Sequence, residues 1–184
     1  ELADGRREWV GYAEAVHYQD ASGAFEEIDD RILSEARRIE GTPYAFRNGA
    51  NAFTARFGVE AAAPRLVRLE YRGASLAFGP AGAKASTASR TADLGSRTLT
   101  ETTYGKELVR YAEVYPGIDL LYELKTHGVK EYLLLKGPTG QNEFTFDLVP
   151  EGVTPQEAEG EITFVNDQGE SLFFLGEPFA MDEA

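Results

Sequence analysis

The stretch Ile118-Asp119-Leu120-Leu121-Tyr122-Glu123-Leu124-Lys125 decides the fold class. Ile118, Leu120, Tyr122 and Leu124 share one parity, while Asp119, Glu123 and Lys125 fall on the other. Successive side chains point to opposite faces of a strand, so this pattern describes a half-buried β-strand. Thr126-His127-Gly128 interrupts it and Glu131-Tyr132-Leu133-Leu134-Leu135 returns, a hairpin in which Gly128 is expected to supply a positive φ. Just upstream, Tyr115-Pro116-Gly117 suits a type II turn, Pro116 fixing the first φ and Gly117 permitting the second. Tyr115 and Ile118 then flank the turn as apolar anchors. Asp119 is placed to accept backbone N–H groups near it, and Lys130 and Glu131 open the returning strand.

The same period continues outward. Phe144, Phe146 and Leu148 alternate with polar residues, as do Ile162 and Phe164 before the Asn166-Asp167-Gln168-Gly169 turn and Ser171-Leu172-Phe173-Phe174-Leu175. Val10, Tyr12, Val16 and Tyr18 share a face, as do Phe53, Ala55 and Phe57, and Val67, Leu69 and Tyr71. Turn residues recur between these runs, which favours a mainly β fold, an antiparallel β-sandwich with at most one or two short helices. The helix candidates are Leu33 to Glu40, stopped by Gly41 and Pro43, and the capping box Thr154-Pro155-Gln156-Glu157. Residues 79–96 are small, polar and aperiodic, expected to be a flexible loop within one module spanning 8–182. The alternative makes them a linker between two packed β units, 1–78 and 97–184.

The chain has 184 residues, 18 Lys and Arg against 31 Asp and Glu, and a net charge of −13. That balance opposes nucleic acid, which needs a basic face to displace counterions, and opposes docking on anionic lipid. No run approaches the roughly 18 apolar residues of a membrane span. Cysteine is absent, so disulfides, thiol nucleophiles and thiolate metal sites are excluded. The chain opens at Glu1 without a basic-then-apolar leader, which reads as a piece of something longer.

Catalytic signals are sparse. The two histidines, His17 and His127, stand alone, and no zinc, phosphate-loop or nucleophile-elbow motif occurs. Glu26, Glu27, Asp29 and Asp30 cluster as paired carboxylates do in glycosidases, but read as a solvated acidic face. The turns Asp20-Ala21-Ser22-Gly23 and Asn166 to Gly169 are oxygen-rich enough for calcium yet lack the alternating Asp loop. No catalytic, cofactor-binding or metal residue is therefore assigned. Trp9, beside the small residues Gly11, Ala13 and Ala15, is the candidate interaction surface. Tyr115, Pro116, Gly117, Ile118, Asp119, Leu120, Tyr122, Lys130 and Glu131 form a fold-specifying motif.

Val109-Arg110-Tyr111-Ala112-Glu113-Val114-Tyr115-Pro116-Gly117-Ile118-Asp119-Leu120, with Gly128-Val129-Lys130-Glu131 following, resembles a block in large secreted bacterial proteins. These are the wall-associated and YD-repeat (Rhs-type) proteins, polymorphic toxins among them, where the block lies upstream of the repeats. Weaker likenesses lie at Ala15 to Asp30, Asn48 to Phe57 and Pro178 to Asp182. Phe25 stands where that pattern has Trp, and Asp30 where it has Asn. The resemblance implies an extracellular β-rich module, secreted or cell wall-associated, with no known catalytic residue in the region. The expectation is a non-catalytic structural or interaction module, not an enzyme, whose partners are other domains of its parent protein, a cell-surface protein or a glycan. The alternatives are a carbohydrate-binding module, which needs coplanar exposed aromatics, and a carboxylate-dependent glycoside hydrolase, which needs two acids across a cleft.

Overall fold

The computed structural model describes residues 15–91, 108–158 and 160–180. Among them every regular element is a β-strand. In chain order these are β1 (His17–Gln19), β2 (Phe25–Glu27), β3 (Ile32–Ile39), β4 (Thr42–Asn48), β5 (Thr54–Gly58), β6 (Val67–Tyr71), β7 (Ala74–Pro80) and β8 (Ser89–Thr91). Then come β9 (Leu108–Tyr115), β10 (Ile118–Lys125), β11 (Gly128–Leu135), β12 (Phe146–Glu151), β13 (Thr154–Ala158), β14 (Glu161–Val165) and β15 (Ser171–Leu175). A larger sheet of six strands runs β12-β7-β6-β5-β4-β3, and a smaller one of four runs β11-β10-β9-β8. β13, β14 and β15 form a third sheet, and β1 pairs with β2. Every pairing is antiparallel, giving a β-sandwich.

The core lies between the larger and smaller sheets. Ile32, Ala55, Phe57 and Val67 meet Val109, Tyr111, Ile118, Leu120 and Tyr122, all fully buried. Tyr122 is the hub: its ring lies 5.8 Å from Phe57 and 6.2 Å from both Phe78 and Tyr111. Each buried side chain of this size contributes about 1.5–3 kcal/mol. A second cluster joins Ala74 and Leu76 of β7 to Phe164 and Phe173, fastening the third sheet to the larger one. Gly79 is required where β7 passes the 61–66 turn, because a Cβ there would sit 2.4 Å from the Ala63 carbonyl oxygen.

Three local expectations are corrected. Leu33 to Glu40 is not helical: it lies in β3 and the tight turn after it, paired with β4 from Ile32↔Asn48 to Ile39↔Thr42. Glu40 and Gly41 turn the hairpin with φ of 48° and 86°, and strand pairing plus burial of Ile32 overrides the helix-forming residues between. The capping box Thr154 to Glu157 is strand β13, where Pro155 is tolerated because β13 is an edge. Gly128 does not adopt a positive φ: residues 126–127 make the turn and Gly128 already pairs with Lys125. Within 79–96, Gly79 and Pro80 end β7, Ser89–Thr91 form β8, and 92–96 lie outside the described residues. The backbone between is bonded to both sides, Ala88 N–H to Val59 and Lys84 N–H to Val114.

Candidate functional site

The motif's turn forms as its residues dictate. β9 and β10 pair through Tyr115↔Ile118, and Gly117 turns with φ 74°. Asp119 follows, fully buried on the outward face of β10. Its Oδ2 accepts Arg110 Nε at 2.9 Å and Nη2 at 2.5 Å. Its Oδ1 accepts the Glu113 N–H at 2.8 Å and lies 2.7 Å from Lys136 Nζ. Lys136 also donates to Glu113, whose other oxygen accepts the Gly117 N–H at 2.9 Å. Glu113 itself is held at φ 54°, an unusual conformation for a non-glycine residue.

Burial pushes the Asp119 carboxyl up, but the bonds from Lys136, the Glu113 N–H and Arg110 outweigh it and hold its pKa below the ordinary 3.8. The same contacts raise the Lys136 ammonium, Asp119 foremost and then Glu113. Two cations thus face two carboxylates around one turn. The sequence placed Asp119 correctly as an acceptor of backbone N–H near that turn. It did not identify Arg110, Glu113 or Lys136, which join the cluster only once the strand register is known.

The inward face holds the second part of the motif. Glu131 lies directly opposite Tyr122, on the parity of Val129, Leu133 and Leu135. Burial raises its carboxyl to about 7, and the neighbouring Tyr122 hydroxyl pulls the other way. That hydroxyl closes no hydrogen bond of proper geometry. The other three buried tyrosines do: Tyr44 donates to the Arg65 carbonyl, Tyr111 to Gly58 and Tyr115 to Ala81. Lys130 points outward instead, its ammonium 4.2 Å from the Phe179 ring centre.

The outward face of the larger sheet carries a charge ladder that sequence reading missed. Arg56, with a side chain only 9% exposed, donates to Glu35 at 3.0 Å and also to Glu70. Arg68, equally buried, donates to Glu70 and Glu151, each at 3.0 Å. The alternation of charge along β6, with Arg68 and Glu70 two apart, was the available signal. Trp9 lies outside the described residues. His17 and His127 are both exposed. Asp20 is occupied by its own turn, accepting Ser22 N–H, Ser22 Oγ and Ala24 N–H. Among the described residues, no group of three or more His, Cys, Asp or Glu could hold a metal ion. In the same residues no helix is long and apolar enough to cross a membrane.

Set beside known proteins, part of the chain is similar to a class of bacterial enzymes, the wall-associated tRNA nucleases of Bacillus. Over 80 residues, 44% of the chain, it is 34% identical to the tRNA nuclease WapA of Bacillus subtilis strain 168. The tRNA(Glu)-specific nuclease WapA of Bacillus subtilis subsp. natto matches at 34%, and the tRNA3(Ser)-specific nuclease WapA of Bacillus spizizenii at 32%, each over 80 residues. The matched stretch spans only 3% of each relative. No protein-family model and no solved structure matches the chain. These names correct two expectations: the relatives are named for an enzymatic activity, which overturns the non-catalytic structural or interaction module and the reading that no enzyme is involved. They displace the carbohydrate-binding and glycoside hydrolase alternatives as well.

Proposed function

We propose that this chain is a β-sandwich segment of a wall-associated, tRNA-cleaving nuclease of the YD-repeat (Rhs-type) toxin class. The observation that carries the reading is the similarity at about one-third identity to three such nucleases. The Tyr-Pro-Gly-Ile-Asp block with its Lys-Glu continuation, which resembles a block of YD-repeat proteins, supports the same reading. The activity proposed is that of the whole polypeptide, of which the chain corresponds to a small part. A secreted, wall-associated location follows from the same likeness. For this segment's own contacts, the net charge of −13 favours other parts of the same polypeptide over the phosphates of RNA.

The test is to incubate the full-length protein carrying this chain with total tRNA, ribosomal RNA and duplex DNA, and to follow cleavage on denaturing gels. Selective loss of intact tRNA is expected. A full-length protein that leaves tRNA intact overturns the proposal, as does one that degrades all three substrates alike. A gel shift of tRNA by the isolated chain at physiological salt would refute the assignment of its contacts.

A further inference from the structure

Charge is unevenly placed along the chain. Residues 31–80, which hold β3 to β7, carry eight Arg, no Lys and four Glu, a net charge of +4 within a chain of −13. Much of that charge is spent internally: Arg56 pairs with Glu35 and Glu70, Arg68 with Glu70 and Glu151, and Arg65 with Glu40. Arg37 and Arg38 of β3 are exposed and, among the described residues, form no ion pair. Glu35, the carboxylate on the same strand, is already taken by Arg56 at 3.0 Å. Arg38 leans back to donate to the Gly41 carbonyl, whereas Arg37 stands opposite Tyr44 with no bonded partner among the described residues.

These two cations sit on a free sheet edge. β3 is the last strand of the larger sheet, and of the terminal strands only β3 and β11 reach eight residues. β11 sets Lys130 beside Glu131, so the unneutralised pair of cations is particular to β3. One side of β3 pairs with β4. On the other, Arg90 of β8 donates to the Ile32 carbonyl at 2.6 Å, and Leu33 to Ile39 have no neighbouring strand among the described residues. Beside this length lies a hollow of about 410 Å³, lined by Ala36, Pro43, Ala45 and Val59 together with Arg37 and Arg38. A strand added to a sheet edge gains main-chain hydrogen bonds, and a side chain entering an adjacent pocket fixes its place. The register shift between Ser34 and Arg37 breaks the ladder, so an incoming strand is short.

We propose that the β3 edge is a strand-addition site for a short, acidic, extended protein segment, whose carboxylates meet Arg37 and Arg38 and whose apolar side chain fills the hollow. Charge complementarity chooses the occupant. Carboxylates across from two exposed arginines attract, whereas a basic strand is repelled. A second copy of β3 is a poor occupant, since it brings another pair of arginines to the same edge. Two arginines on a strand edge, in a chain of −13, are too few to hold a phosphate backbone. Affinity then comes from the backbone bonds and the hollow, and the arginines supply selectivity, guarding the edge against indiscriminate pairing. The site is independent of whether the whole polypeptide cleaves tRNA.

Amide chemical shifts of the isotope-labelled chain, titrated with a short peptide in which Glu alternates with Val, test this. At roughly millimolar peptide, shifts confined to β3 and to the Ala45 and Val59 amides beside the hollow are expected, fading as salt is raised. The same peptide with Lys in place of Glu should leave those amides unmoved. Replacing both cations, Arg37→Ser with Arg38→Ser, should weaken binding about tenfold. Methylating alternate peptide nitrogens separates strand addition from plain charge attraction: in one of the two phases binding should be lost. Equal binding by both methylated peptides overturns the proposal, as does equal binding by the Lys peptide. A Glu peptide that moves no β3 amide also overturns it, and so does tRNA moving those amides where the peptide does not.

Discussion

Replacing Asp119 by Asn tests whether the motif is held by charge or by shape. The change keeps the volume and one oxygen for the Glu113 N–H, but removes the negative charge that Arg110 and Lys136 surround. Breaking a fully buried ion pair costs about 3–5 kcal/mol, most of it from the charge left behind. Here the two cations have side chains 34% and 38% exposed, so they recover some hydration, which puts the loss at the low end, about 3 kcal/mol. For a chain of this size that is a fall in Tm of roughly 6–12 °C. Paired urea titrations at neutral pH, with thermal melts followed by circular dichroism, measure it. The pH dependence fixes the cause. The folded-state pKa of Asp119 is depressed, so its contribution is complete above the ordinary 3.8 and disappears as pH falls through the lower folded value. Wild type and variant should therefore converge only below 3.8. A loss under about 1 kcal/mol at neutral pH, or a gap unchanged in strong acid, would refute the reasoning.

Tyr122→Phe takes away the hydroxyl that pulls the Glu131 carboxyl down, and should raise the midpoint of that carboxyl in a carbon-13 titration; an unchanged midpoint would show that the two groups do not interact. Gly79→Ala drives a methyl group into the Ala63 carbonyl and the Pro64 backbone, and should cost about 1–3 kcal/mol; a neutral outcome would mean that the 61–66 turn yields. Glu131→Gln should match wild type below pH 4.5 and become the more stable by about 3 kcal/mol above pH 7, because a raised carboxyl pKa weakens folding as pH rises; parallel stability curves would contradict this. Phe174, 68% exposed on the edge strand β15, should accept Ser with a change within about 0.5 kcal/mol, and a larger loss would reveal a contact there.

The parts of the fold that sequence discloses are those where one physical signal acts alone. The apolar parity of β10 marks the strand and the Pro116-Gly117 turn has no competing reading, but β10 is not half-buried as its alternation suggests: Asp119, Leu121 and Glu123 on its other face are buried as well. β3 was obscured because Glu35, Ala36, Arg37 and Arg38 suit a helix, and only pairing with β4 settles the matter. The Asp119 cluster was half legible. The acceptor is visible in the motif, but Arg110 arrives from β9 and Lys136 from just past the end of β11, and no local pattern encodes the register that brings them there. Glu113 gives no hint of its φ of 54°, since that region is ordinarily marked by Gly or Asn. Glu131 was written plainly in the alternation, a carboxylate on the apolar parity, and its meaning emerges only beside an edge and the Tyr122 hydroxyl. The nuclease connection lies in no single residue here: it rests on similarity to relatives of which the matched stretch is 3%.

The strand order of the larger sheet has a kinetic corollary. From β3 to β7 each strand lies beside its successor in the chain, so five strands can assemble by short hairpin closures as the polypeptide emerges from the ribosome. β12 is different: Phe146 must find Pro80, sixty-six positions earlier, across everything that forms the smaller sheet. Its arrival is the slow, entropically demanding event, and until it comes the β7 rim remains available to any other extended peptide nearby.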